Sequence, residues 1–295
     1  MRSGRPTSSR CCRPSPADDT QPMSESAATR AAMMSAVRHS DQEDVEERPS
    51  PGALTVVSGL AAGAAVALGT YGGALPLALA LIACGVAVAW GWPILLDLPR
   101  PPGSSVVLLA GLVGIGVVEL LAPRSHGLRW LTTALAIGLM VAFLHELLRS
   151  DGRRSLTHSI AGAVFGLAVL AVGAFHLSTL VEFDAKFVTY AACLGVAVGV
   201  VVDFFLGGRT LGEWSLPISL LLAVAAGAAL GVLSETPWNA PMLSALAACG
   251  IAHALRRVVG SLPRASEAPA AVALGAGSVL VVGIVPFAVV WALTR

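Results

Sequence analysis

From residue 52 to residue 295 the chain is a series of long apolar stretches separated by short polar breaks, the longest only about a dozen residues. A soluble helix keeps a polar face, and these stretches have none. A spanning helix needs about 20 mainly apolar residues, and nine segments meet that length: 53–72, 75–92, 105–122, 128–148, 159–177, 187–206, 214–233, 240–256 and 269–293. Backbone groups in hydrocarbon have no water to bond, so segments of this length and apolarity must be helices. The breaks carry turn residues, as in Tyr71-Gly72-Gly73, Pro99-Arg100-Pro101-Pro102-Gly103 and Ser234-Glu235-Thr236-Pro237. The pattern predicts an all-α polytopic transmembrane helix bundle of about nine spans over residues 52–295, located in the cell membrane.

Arginine placement orients the bundle. With nine spans and the N-terminus in the cytoplasm, 15 basic residues fall inside and 4 outside, or 8 against 4 without the tail. That is the direction of the positive-inside rule. Removing segment 240–256, the shortest, worsens the division to 13 against 6, so nine spans, N-in and C-out, is the expected topology. All six tryptophans (Trp90, Trp92, Trp130, Trp214, Trp238 and Trp291) fall near proposed helix ends, where an interfacial aromatic belt would put them.

Residues 1–51 differ in kind. They are rich in Ser, Pro and Arg, turn acidic between Asp41 and Glu47, and hold seven Arg against eight Asp or Glu. Such a stretch buries too little apolar area to offset its ordering entropy, so a disordered cytoplasmic tail is expected. No cleavable signal pattern precedes Ala53, and Met33 or Met34 is an alternative start. Hydrophobic residues make up 55% of the chain and charged residues 13%, with a net charge of +1. That balance points away from nucleic acid and toward membrane lipids, anionic ones included, as partners. Cys84, Cys193 and Cys249 lie in apolar segments as small hydrophobes; with no CxxC spacing, neither a metal nor another cofactor is expected.

Helices in lipid associate through close packing of small residues. Gly59/Gly63, Gly162/Gly166, Gly195/Gly199 and Gly227/Gly231 supply four such pairs in four spans, enough for a compact bundle and not enough to specify an oligomer. Pro286 lacks an N–H and predicts a kink in the last span.

Two stretches carry a resemblance. Gly91-Trp92-Pro93-Ile94-Leu95-Leu96-Asp97-Leu98-Pro99 with Gly103-Ser104-Ser105, and Leu144-His145-Glu146-Leu147-Leu148-Arg149-Ser150-Asp151-Gly152-Arg153, resemble an uncharacterised multi-pass membrane protein family of high-GC Gram-positive bacteria. The resemblance implies a bacterial inner-membrane location and a multi-pass topology. That family has no assigned activity, so it implies no catalytic residues.

Ionisable residues within spans are costly and mark candidate sites. Here they are Glu119, His145, Glu146, His176, Asp203 and His253, each within about four residues of a predicted helix end. Proton-driven carriers usually place acidic groups at mid-depth, so that class needs broken helices or neutral sites here. Asp203, His253, His145 and Glu146 form a candidate cytoplasmic polar cluster. Asp203 shares a face with Gly195 and Gly199, and His253 shares one with Ala245, Cys249 and Arg257. His145, above Val141 and Gly138, is expected to point inward. Glu146, above Ala142, Leu139 and Leu135, is expected nearer the headgroups, within reach of Arg149. Ser155, Thr157 and Ser159 are possible caps of the fifth span.

Arg149, Arg153, Arg154, Arg256 and Arg257 are the candidate contacts for lipid phosphate. The plainest reading has these polar groups snorkel and pair at the interface. An anionic-lipid site is one alternative and a metal site another, although the Leu144–Arg149 stretch lacks the second His of an HExxH motif. No phosphate-binding glycine loop or nucleophile elbow is present.

Three functions remain open. A permease or carrier-like bundle comes first, on the frequency of transporters among bundles of this size. A membrane enzyme or lipid-binding protein acting on anionic headgroups at the cytoplasmic leaflet is the second. A scaffold without a small-molecule site is the third. The topology makes a direct prediction: with native cysteines removed, an impermeant thiol reagent in intact cells labels a cysteine at Ser234 and spares one at Ser155. Labelling at Ser155 reverses the orientation.

Overall fold

A computed structural model describes residues 52–121, 127–148, 155–207 and 212–294, without side-chain detail at 120, 121 and 127–129. The tail of residues 1–51, with its expected disorder, lies outside the described residues. Eight elements run α1 Ala53–Gly72, α2 Ala74–Leu95, α3 Pro101–Leu121, α4 Gly127–Leu147, α5 Leu156–Phe183, α6 Lys186–Leu206, α7 Ser215–Leu233 and α8 Asn239–Val259. A short 3-10 turn, Gly212–Trp214, leads into α7. The last span is divided into α9 Ala268–Leu280 and α10 Ile284–Thr294. No strand occurs among the described residues, and nine spans there are long and apolar enough to cross a membrane. The chain is thus an all-α bundle compatible with a multi-pass membrane protein.

The helices form two groups joined by a central post. In one group α6 packs against α7 and α8; in the other α2, α3, α4 and α5 pack in succession. Between them stands α9, in contact with α1, α2, α5 and α8. Its sequence explains how one helix meets four others. APAAVALGAGSVL is nearly all small residues, and every residue from Ala270 to Leu280 except Val272 is buried. Its neighbours are correspondingly bare. A Cβ at Gly275 would strike Ser58 Oγ and the Gly59 amide, and one at Gly91 would land on the Pro269 carbonyl. Ser58 also donates to the Ala271 carbonyl at 3.3 Å. The same device joins α6 to α8, where Gly195 faces the Ala245 backbone, and α7 to α8, where Gly227 faces the Pro241 carbonyl. Dispersion and weak polar contacts at this range replace the hydrophobic drive that lipid removes.

Four expectations change. Trp92 is not part of the belt: it is fully buried, donates its indole N–H to the Gly162 carbonyl at 3.3 Å and meets Phe165 edge-to-face at 5.0 Å. Gly166 leaves the room it fills, whereas the other five tryptophans are exposed. The fifth span runs to Phe183 rather than ending near 177, because Ser178, Thr179 and Glu182 continue a helix that the apolar count stops short of. Ser155 adopts φ 56° and makes no side-chain cap.

The fourth change is the deepest. The last span does not merely kink at Pro286; its hydrogen-bond ladder stops one turn earlier, at Val281–Gly283. Pro286 has no N–H for the Val282 carbonyl, and its ring excludes that carbonyl from helical position. Val282 accepts from the Val285 amide at 2.9 Å instead, and the Gly283 amide turns to Leu280 at 3.0 Å.

The glycine contacts predict a contrast. Gly195→Val pushes a side chain into the Ala245 backbone and should destabilise the bundle by about 1–3 kcal/mol. The same change at Gly114, where a Cβ meets open space, should stay within about 0.5 kcal/mol. Cys84, Cys193 and Cys249 are free and buried, so a thiol-reactive dye reports thermal unfolding in detergent. Equal losses at both positions refute the packing account.

Candidate functional site

The ends of α2, α4, α6 and α8 and the starts of α3, α5, α7 and α9 lie at one end of the bundle. Contacts across chain-distant breaks join this end: His158 Nε2 lies 2.8 Å from the Leu96 carbonyl, and Arg264 reaches Asp97 at 2.8 Å. Arg264 also holds Glu267 at 2.7 Å. The Glu267 and then Asp97 carboxylates push the Arg264 guanidinium above its ordinary pKa. The loops between α2 and α3 and between α8 and α9 are stapled by this cluster at the surface.

A turn deeper, Asp203 near the end of α6 meets two residues of α8. His253 Nδ1 lies 2.7 Å from Oδ1. A carboxylate only accepts, so that nitrogen carries the hydrogen. Arg256 donates to Oδ2 through Nε at 3.1 Å and Nη2 at 2.8 Å. All three residues are buried, with Arg256 5% exposed. Gly199 makes the arrangement possible, since a Cβ there would press on Arg256 Nη2 and Cys249 Sγ. The partner is Arg256 rather than Arg257 because Ala245, Cys249, Ala252 and Arg256 lie on one unexposed stripe at helical spacing. Arg257 points out.

His145 and Glu146 belong elsewhere, on α4 in the group that packs against α3 and α5. The expected depths of the two are reversed in part. Glu146 is only 4% exposed and accepts a hydrogen bond from Ser159 Oγ of α5. Ala142, one turn before it, is buried with Val107 and Ala163, so the stripe through Ala142 is a packed face and not a lipid face. His145 is half-buried, its ring over Gly103 and its Nε2 shielded without a partner. Ser159, read as a cap, thus serves as the donor that lets a carboxylate stay inside. Arg149, Arg153 and Arg154 lie outside the described residues. Among the described residues, no three His, Cys, Asp or Glu side chains are grouped to hold a metal.

A second polar constellation lies toward the opposite end, and sequence reasoning placed it too shallow. His176 sits seven residues before the end of α5, roughly 10 Å along the axis, and is fully buried. Its Nε2 lies 3.2 Å from the Val279 carbonyl. In an unbroken helix that carbonyl would accept from Gly283, whose amide has turned to Leu280. The histidine occupies the acceptor that the break sets free. His176 Nδ1 is shielded and has no partner. Gly283 is required at this point, because a Cβ would strike the Val172 carbonyl and crowd the imidazole.

Next to the break is a cavity of about 40 Å³ whose walls include Ala78, Leu112, Gly173, Leu177, Leu280 and Glu119. Glu119 Oε1 is buried and unpartnered. A wider cavity of about 380 Å³ opens at the same end, between the starts of α6 and α8 and the end of α10. Lys186, Phe187, Asn239, Val290 and Thr294 are on its walls. The signal for this region was present in the sequence as Gly283 and Pro286 three residues apart, but nothing there linked them to His176.

Comparison of the chain with protein-family models, curated proteins and solved structures gives no match.

Two substitutions separate the two polar groups at the first end. Asp203→Ala leaves Arg256 as an uncompensated buried charge and should cost about 3–5 kcal/mol. Asp203→Ala with Arg256→Met should recover much of that loss, because both charges are gone. Glu146→Ala strands the Ser159 hydroxyl and should cost about 1–3 kcal/mol. Thermal unfolding of the purified variants reads all three, and no recovery in the double variant would show that Asp203 and Arg256 do not act as a pair.

Proposed function

We propose that this protein is a permease or carrier-like bundle in which the last span is the moving element. The observation that carries the proposal is the interruption of that span near its middle, with buried His176 bonded to the carbonyl the interruption exposes. Irregular backbone at membrane depth is tolerated where protein covers it or a cavity adjoins it, and discontinuous helices of this kind build carrier sites. Both cavities touch this span, the smaller at Leu280 and the wider at Val290, Leu293 and Thr294. With the orientation expected from arginine placement, they lie toward the outer side.

The reading as a headgroup enzyme is less favoured by the first polar group. Both Asp203 oxygens are already occupied and the Arg256 guanidinium is turned inward to them, so the trio holds α6 to α8 and presents little to a lipid phosphate. A scaffold would be expected to close around its core, without a span broken beside cavities.

Counterflow tests the carrier. Purified protein in liposomes preloaded with isotopically labelled bacterial cell extract is diluted into unlabelled extract, and the vesicle contents are followed by mass spectrometry. Exchange of at least one solute faster than in protein-free vesicles is expected. Contents that match protein-free vesicles for every solute overturn the carrier and favour the scaffold.

A further inference from the structure

We propose that Glu119 is the proton-binding carboxyl of this carrier, exchanging its proton through the cavity beside the broken span. The inference rests on the carrier reading and adds the coupling ion to it.

The geometry of the carboxyl is the starting point. Glu119 lies two residues before the end of α3, and its Oε1 is shielded from solvent without a hydrogen-bond donor. Isolated ionised groups in a low-dielectric interior are costly unless paired or hydrogen-bonded. Asp203 and Glu146 in the same bundle obey that rule, one with Arg256 and His253, the other with Ser159. Glu119 departs from it. Glu119 is half-buried, and the described residues offer its inward oxygen no donor.

The surroundings narrow what that oxygen can take. Among the described residues, the charged group that acts on Glu119 is another acid, Glu182 of α5; Arg124 and His126, and the side chain of Arg129, lie outside the described residues. The cavity wall that α2 contributes carries Ala78 and Leu81, and the wall from α9 carries Leu280, none of them ionisable. On α5 the wall is Leu170, Gly173, Ala174 and Leu177, with His176 turned to the break and bonded to Val279. On α4, Trp130 is the first side chain described. A metal ion needs several oxygen ligands at fixed distance, and this wall offers one carboxyl. An organic ligand of ordinary size needs about 300 Å³ or more, and the cavity measures about 40 Å³. A water requires roughly 10–15 Å³ on the same measure, so there is room for two or three. A proton arriving along such a short water chain fits both the volume and the single carboxyl.

Leu280 couples the site to the moving element. It is the last residue of α9, it walls the cavity, and a Cβ on Gly173 would strike its side chain. Any shift of the half-helix at the break changes the access of water to Glu119. Glu182, exposed at the same end, is placed to relay the proton to bulk solvent.

Dicyclohexylcarbodiimide, an apolar reagent that reacts with protonated carboxyls, reads this without transport. The full-length protein in liposomes is treated with it at acid and alkaline pH and digested for mass spectrometry. A Glu119 adduct whose yield falls as pH rises is expected, and the near-isosteric Glu119→Gln should lose it. No adduct on Glu119, an adduct on Glu182 alone, or a yield that ignores pH overturns the proposal. The counterflow assay under an imposed pH gradient gives the second readout. The wild type should accumulate its solute against the solute gradient, and Glu119→Gln should lose that accumulation. A wild type that exchanges solute without regard to the pH gradient overturns proton coupling and leaves the carrier standing. A wild type that exchanges nothing but carries the pH-dependent adduct removes the carrier and keeps Glu119 as a proton site.

Discussion

Close approach of backbones at α9 is the constraint on which the bundle depends. Lipid tails are as apolar as the side chains they meet, so two helices gain little by burying leucine against leucine. They gain by approaching until dispersion and weak polar contacts add up. α9 is built for this on every side, with Ala, Gly and Ser along its length and Gly59, Gly91 and Gly275 at its crossings. The two helix groups are held to one another through α1 and α9 together, α1 packing on both α6 and α2 and α9 packing on α1, α2 and α8.

The last span is also the place where continuity fails. Pro286 removes an amide that its ladder needs, and the turn at Val281–Gly283 takes the place of one helical turn. The unused Val279 carbonyl is then buried in a medium without water. A buried carbonyl without a donor is costly, and His176 supplies the donor from α5. Break, histidine and glycine at 283 form one unit. Each would be unfavourable alone, and together they place a polar, deformable joint in a span flanked by two cavities.

The two ends of the bundle differ in how they handle charge. At one, both oxygens of Asp203 are taken by His253 and Arg256, and Arg264 ties Asp97 to Glu267 in the loops above them. Its described polar groups cross-link α6 to α8 and the loop after α2 to the loop after α8. At the other, Glu119 is left without a partner beside empty volume.

Much of the architecture was legible in the residues. Length and apolarity determine helices because hydrocarbon leaves the backbone no alternative, and nine spans with short turns follow from counting. Asp203 and His253 were also legible as inward residues, since the small-residue faces they share are local helical geometry. What needed the tertiary structure was everything decided between helices. Helical phase alone put Arg257 on the face of His253, and only the packing of α8 against α6 chose Arg256. Glu146 read as lipid-facing because its stripe holds leucines, yet Ser159 from another helix supplied the donor that keeps it inside. Trp92 read as a belt residue, yet Gly166 opens a space for it and the Gly162 carbonyl accepts its indole N–H. The depth of His176, the point where the last span stops, and the isolation of Glu119 depend on which groups meet across the bundle. Pattern along one chain determines what each helix is, because backbone and solvent act locally. Which polar atom finds a partner is a property of contacts between helices, and no single segment carries it.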